Sequence, residues 1–246
     1  MTSDSNLHQP SGNKIFAKAH ALGNDFVLIK TNEKLNADQI RLIGNYKLGI
    51  GADQILVIND NLEVEIWNSE GSIAKMCMNG MRSLAKWVFS NQAITNSTTK
   101  AICLKTISGP VYLEQIDEEI KLTPPAAAKI EKQNNYYLVN VGNDHKIYIL
   151  EDDPADKLAE FAQKEFNVSC IWKKDEKWNV RTWERGAQET LACGSAAFAI
   201  ASVLDKLGET NLNIHYKLGV INHFKEDGNI VQIGPAHVIA QGELFL

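Results

Sequence analysis

The chain has no excess of basic charge, no CxxC pair and no apolar run as long as a membrane span, and each absence removes a class of function. Its 25 Lys and Arg are outnumbered by 30 Asp and Glu, for a net charge of -5, so it carries no electrostatic footprint for nucleic acid. Four cysteines among 246 residues, none spaced as CxxC, fit neither a disulfide scaffold nor a zinc site. A reducing cytoplasm is the simplest setting. With no stretch of ~20 apolar residues, no membrane-spanning helix is expected. No glycine run forms a phosphate-cradling loop, and no lysine sits where pyridoxal phosphate would be held, so neither cofactor nor metal is expected. Residues 1–13 are polar, contain Pro10, Ser11 and Gly12, lack the apolar segment of a secretory signal, and read as a disordered tail.

What is present is a globular composition, 44% hydrophobic and 22% charged, and a message written twice. Trp67 precedes Cys77 by ten residues, and Trp183 precedes Cys193 by the same ten. Gly23-Asn24-Asp25 begins 54 residues before Cys77, and Gly142-Asn143-Asp144 begins 51 before Cys193. Between the echoes lie Pro124 and Pro125, the candidate linker.

Short apolar or alternating pieces predict strands at 15–19, 26–29, 55–58 and 63–67, then at 101–106, 111–116 and 119–123. Asn36 is a candidate N-cap for a helix over 37–48. A second helix follows Cys77, with Met81, Leu84, Ala85 and Val88 on its apolar face and Arg82 and Lys86 off it. The second half repeats this order: strands at 136–141 and 146–150, a helix capped by Asp153 with Pro154 first, strands at 169–172 and 178–183. A helix over 195–207, apolar almost all round, reads as buried and central. Strands with turns at Gly219, Asp227-Gly228 and Gly242 close the chain. The expected class is α+β: two pseudosymmetric domains, 14–124 and 125–239, each a strand-rich sheet around a Cys-led helix.

A thiol at a helix start sits where free N–H groups and the helix dipole favour negative charge, which predicts a lowered pKa. The same N–H groups suit a carboxylate. Two such ends face to face could hold an amino acid with a sulfur on each side of its α-carbon, one removing the proton and the other returning it to the opposite face. Cys103 and Cys170, in apolar strands, read as core residues, as do Trp67 and Trp183. His20, His215, His223 and His237 are assigned no role.

The runs Ala21-Leu22-Gly23-Asn24-Asp25-Phe26, Gly49 to Gln54, IWNSEGS (66–72), CMNG (77–80), VGNDH (141–145) and WERGAQETLACGS (183–195) together resemble the diaminopimelate epimerases, from about Lys14 to the last strand. The resemblance implies cofactor-independent interconversion of LL- and meso-diaminopimelate in lysine and peptidoglycan-precursor synthesis. It also implies a cytoplasmic homodimer with its active site in the interdomain cleft, and a last strand, about 240–246, that returns to the first domain. It makes Cys77 and Cys193 the acid–base pair, with Cys77 the base toward the LL-isomer, and assigns His145 and Glu184 to support the thiols. The backbone of Met78-Asn79 and of Gly194-Ser195 would cradle the α-carboxylate. Asn24, Gln54, Asn68, Asn143, Asn167, Glu184 and Arg185 would line the pocket, with Asn68, Asn143, Asn167 and Arg185 at the distal, unreactive end.

Four positions depart from that pattern: Met78, Gln188 and Ala196 stand for glycines, and Asp144 for proline. Met78 is the departure expected to matter most, because a positive φ beside the thiol would burden a side chain. Three other readings compete: a racemase of another amino acid, a redox protein that pairs Cys77 with Cys193, and a binding descendant without activity.

Overall fold

The computed structural model describes residues 14–91, 94, 100–186 and 188–246; the tail read at 1–13 lies outside them. A five-stranded sheet is ordered β17-β1-β2-β3-β4, with β1 (Lys14–Ala21), β2 (Asn24–Lys30), β3 (Gln54–Ile58), β4 (Val64–Asn68) and β17 (His237–Leu244). A larger sheet runs β5-β6-β7-β16-β15-β14-β12-β11-β10-β9-β8, with β13 on β12. Its members are β5 (Ala101–Thr106), β6 (Gly109–Ile116), β7 (Glu119–Thr123), β8 (Lys129–Lys132), β9 (Tyr137–Asn140), β10 (Asp144–Leu150), β11 (Asn167–Lys174), β12 (Lys177–Glu184), β13 (Gln188–Thr190), β14 (Ile214–Tyr216), β15 (Gly219–Glu226) and β16 (Asn229–Pro235).

The repetition is carried into the pairing. In the first half β1 and β2 form an antiparallel hairpin, β2 lies parallel to β3, and β3 antiparallel to β4. In the second, β9 and β10, β10 and β11, and β11 and β12 repeat those three relations. The outer strand of each hairpin finds a partner too: β17 pairs with β1, and β8 with β9. Strand β8 was not foreseen, because Lys129-Ile130-Glu131-Lys132 is an exposed, mostly charged edge with no apolar alternation to read.

Each Cys-led helix is wrapped by strands. Helix α2 (Met78–Ser90) packs on β1, β2, β3 and β17 on one side and on β6 and β7 on the other. Helix α3 (Gly194–Lys206) packs on β9 and β10 and on β14, β15 and β16. The parallel strands are buried on both faces, which is why they read as continuous apolar runs. Phe26, Leu28, Leu56 and Ile58 join the main core with α2, while Val27, Ile29, Ile55 and Val57 face Ile40 and Ile43 of α1 (Ala37–Gly44). In the second half Tyr148, Val168 and Cys170 pack under Leu158, so Cys170 is a core residue as expected.

Local chemistry corrects several boundaries. Asn36 caps α1 with a full capping box, its side chain accepting from Asp38 and Gln39 while Gln39 reaches back. The helix stops at Gly44 rather than 48, because the Asn45 side chain takes the Lys47 and Leu48 N–H groups at 2.8 and 3.0 Å and turns the chain. The Asp153 segment is a 3₁₀ helix, Ala155–Phe161, not an α-helix. Asp153 does accept from the Ala155 N–H at 2.8 Å, but Ala155 lies at φ 44° and blocks an α-helical first turn. Gly242 is no turn: it sits within β17 opposite Phe16, whose ring lies 3.2 Å from where a Cβ would be. Arg82, expected off the buried face of α2, is wholly buried, because α2 is enclosed all round rather than lying on a surface.

Candidate active site

The helix starts that carry the two thiols meet. Cys77 and Cys193 are the N-cap residues of α2 and α3, both in extended backbone. A Cβ at Gly194 would lie 3.0 Å from both the Met78 Cβ and the Asn79 nitrogen, and 2.6 Å from the Asn79 Oδ1. At this crossing only one helix can carry a side chain at the position after its cysteine, and here it is α2. The Asn79 amide ties the two ends together by donating to the Ala192 carbonyl at 3.2 Å.

A cleft of about 710 Å³ opens over this junction, a size suited to a small molecule. Both thiols line it, with Asn24, Gln54, Asn68, Met78, Asn143, Asn167, Glu184, Arg185, Gly194 and Ser195. Two expected residues do not. Asn79 turns its side chain inward, to Ala192, Asn24 and Arg82. His145 is wholly buried, and neither ring nitrogen has a hydrogen-bond partner. The repeat explains its position: β2 pairs Phe26 with Gln54 where β10 pairs His145 with Asn167, so His145 occupies the core position of a phenylalanine. Burial holds its pKa down at about 4, against a weak opposing pull from Asp144. Gln54 and Asn167 are likewise repeat mates. Gln54 donates to the Asn68 side chain at 2.8 Å, and Asn167 accepts the Arg185 N–H at 2.9 Å.

The thiols are held differently. The Cys77 sulfur accepts the Gly80 N–H at 3.3 Å and lies 4.0 Å from the Asn24 Oδ1. Asn24 is aimed by Asp53, whose carboxylate takes the Asn24 Nδ2 at 2.9 Å and the Asp25 N–H at 3.1 Å. Cys193 lies 3.4 Å from the Ser195 hydroxyl and feels the charge of Glu184. Thr190 donates to Glu184 at 2.6 Å, and Tyr216 fixes the Cys193 carbonyl at 2.8 Å.

The structure reverses the expectation of lowered thiol pKa values. Burial outweighs the helix start: it pushes Cys77 up to about 12 against the pull of the Gly80 N–H, and Cys193 well above its usual range. Burial also raises Glu184, against the hydroxyl of Thr190, which donates to its carboxylate.

The departures sort differently from expectation. Met78 is helical, its φ negative and its side chain packed in the main core. Gln188 is the strained position, at φ 64° where it opens β13. Ala196 is buried within α3, and Asp144 takes an Asn140 amide at 2.6 Å on the cleft wall. Asp53, Thr190, Tyr216 and Arg82 were missed by sequence reasoning. Asp53 was visible as the residue before Gln54 in the Gly49–Gln54 run; the other three offer no local signal.

Among the described residues no helix is long and apolar enough to cross a membrane. The diaminopimelate epimerase family profile matches residues 16–123. The diaminopimelate epimerase of Caldanaerobacter subterraneus subsp. tengcongensis is 31% identical over 93% of this chain and 98% of its own. That of Rickettsia prowazekii is 31% identical over 95% and 98%. Among solved structures, a phenazine biosynthesis protein of the PhzF family from Enterococcus faecalis superposes with a TM-score of 0.74 at 15% identity, covering 96% of this chain and 100% of its own. A hydroxyproline epimerase from Agrobacterium vitis, with trans-4-hydroxy-L-proline bound, gives 0.66 at 11% identity over 95% and 93%. The duplicated architecture is thus one shared with epimerases, and by its sequence this chain belongs to the diaminopimelate epimerase family, a family of isomerases.

Proposed function

We propose that the protein epimerises LL-diaminopimelate to the meso isomer with Cys77 and Cys193 as its two acid–base groups. The observation that carries this is the abutment of two thiol-capped helix starts on one cleft. The substrate α-carboxylate lies across the N–H groups of Met78, Asn79, Gly194 and Ser195, where the dipoles of α2 and α3 favour negative charge. A thiolate on one side removes the α-proton. The electron pair left on carbon spreads into the carboxylate, whose growing charge the same N–H groups stabilise. The thiol on the other side then gives its proton to the opposite face and becomes the thiolate, so the protein ends with the same number of protons.

The cleft supplies a place for each protonation state. The Asn24 Oδ1 accepts from a protonated Cys77, and the Ser195 hydroxyl, 3.4 Å from the Cys193 sulfur, can donate to a thiolate there. Arg185, Asn68, Asn143 and Asn167, by resemblance, hold the distal zwitterion. The test is proton NMR in deuterated buffer with LL-diaminopimelate beside a panel of L-amino acids. Deuterium should enter the α-position of diaminopimelate alone. Exchange of a different amino acid, or of none, would refute the assignment.

A further inference from the structure

Arg82 is the one arginine in the fully buried set of large side chains, and nothing in the two-thiol mechanism calls on it. Its Nη2 donates to the Asn79 Oδ1 at 2.5 Å and its Nη1 to the Gln232 Oε1, while Nε has no partner. Both acceptors are neutral amides. The groups whose charge it feels are Cys77 on its own helix, Tyr216 on β14 and Glu119 on β7, with His223 of β15 on the far side of Gln232. Among the described residues Arg82 has no ion-pair partner. A buried cation without a paired anion is costly, far more so than an unpaired cation in water.

The amides that satisfy it lead to the catalytic junction. Asn79 reaches the Ala192 carbonyl and the Asn24 Oδ1 that faces Cys77. Gln232 donates to the Gly194 carbonyl at 3.0 Å and to His223 Nε2 at 2.9 Å, and His223 Nδ1 meets the Leu212 carbonyl at 3.0 Å. The guanidinium is clamped from behind by the backbone of β16, with Nε 3.2 Å from a Cβ placed on Gly234. One fixed charge therefore sits under both helix starts, one hydrogen bond removed from each.

We propose that Arg82 is a positioning residue whose uncompensated charge is the standing counter-charge for the anions of the cleft, the Cys77 thiolate and the substrate carboxylate. This deepens the two-thiol reading and rests on it for the identity of the carboxylate. The charge is present at neutral pH, since burial lowers Arg82 only to about 10. At Cys77 its charge opposes the carboxylates of Glu184 and Asp53, which both push that thiol up.

The test reads the Cys77 thiolate directly, independent of epimerisation. Full-length protein is treated with iodoacetamide between about pH 7 and pH 9.5, and the Cys77 peptide is followed by mass spectrometry, which separates it from the other three cysteines. Arg82→Met, shown folded by circular dichroism, should alkylate roughly tenfold more slowly at a given pH, as expected for a rise of about one pH unit in the thiol pKa. Arg82→Lys, which keeps a cation, should restore most of the parental rate. An unchanged rate in Arg82→Met, or equal slowing in both variants, would overturn the proposal. If Arg82→Met does not fold, Gln232→Glu takes its place: a carboxylate against the guanidinium should slow Cys77 in the same way, and an unchanged rate would refute the role. Protein that shows this dependence but exchanges no amino-acid proton would remove the epimerase reading and leave Arg82 its role.

Discussion

Two glycine substitutions that look alike in the sequence should act in opposite directions. Gln188→Gly and Met78→Gly each restore a glycine of the family pattern. Gln188 holds φ 64° on an exposed strand start, a conformation that burdens a side chain by roughly 1–2 kcal/mol. Replacing it relieves that strain but adds about 0.5–1 kcal/mol of backbone entropy to the unfolded chain, for a net gain of about 0.5–1 kcal/mol. Met78 is helical and 1% exposed within the main core. Removing its side chain forfeits roughly 2–5 kcal/mol of packing, as for other buried methionines, with the glycine entropy in addition. For a chain of this length ~1 kcal/mol corresponds to about 2–4 °C in Tm. Gln188→Gly should therefore melt about 1–4 °C higher than the parent, and Met78→Gly about 5–24 °C lower, both followed by circular dichroism with urea titration as a second measure. A neutral Met78→Gly, or a destabilised Gln188→Gly, would refute the assignment of the strain to Gln188 and of a packing role to Met78.

Further outcomes follow from the other buried groups. Cys77→Ala and Cys193→Ala should each abolish solvent-deuterium incorporation, while the serine variants keep a weak residue, since a hydroxyl donates but is a poor base; exchange at the parental rate in either alanine variant would exclude the two-thiol mechanism. His145 binds its proton more weakly folded (about 4) than free (6.5), so the unfolded chain takes up the extra proton and stability is lost as pH falls from about 6.5 to 4, by up to about 3 kcal/mol at ~1.4 kcal/mol per pH unit. His145→Phe, matching its repeat mate Phe26, should flatten that acid limb in urea titrations and leave exchange intact; loss of exchange in a folded variant would instead show that His145 supports the thiols. Asp53→Ala should lower kcat/KM by about 1–3 kcal/mol, because the Asn24 amide and the Asp25 N–H lose their acceptor, with Tm reporting separately on the fold.

The elements that could be read from the sequence are those whose pattern is local. The strands of both halves, the Asn36 cap and the two Cys-led helices follow from residues a few positions apart, and so does the repeat that organises the pairing. The cleft asparagines could be named because each lies inside a run with its own signature, from Gly23-Asn24 to Glu184-Arg185. What could not be read is whatever depends on how much water the assembled halves exclude. A helix start alone predicts an acidic thiol, yet the junction of the two halves takes enough water from half-buried Cys77 to reverse the sign. Arg82 reads as a solvent-facing residue of an amphipathic helix until strands β6, β7 and β16 cover that face. His145 looks like a cleft histidine until its alignment with Phe26 sends it into the core. Proximity to the chemistry points to Met78 as the strained position, whereas the positive φ falls on Gln188 at the start of β13. Periodicity and capping act along the chain, but desolvation and the sign of a pKa shift are set by groups that arrive from 100 or more residues away, as Gln232 does at Arg82 with a separation of 150.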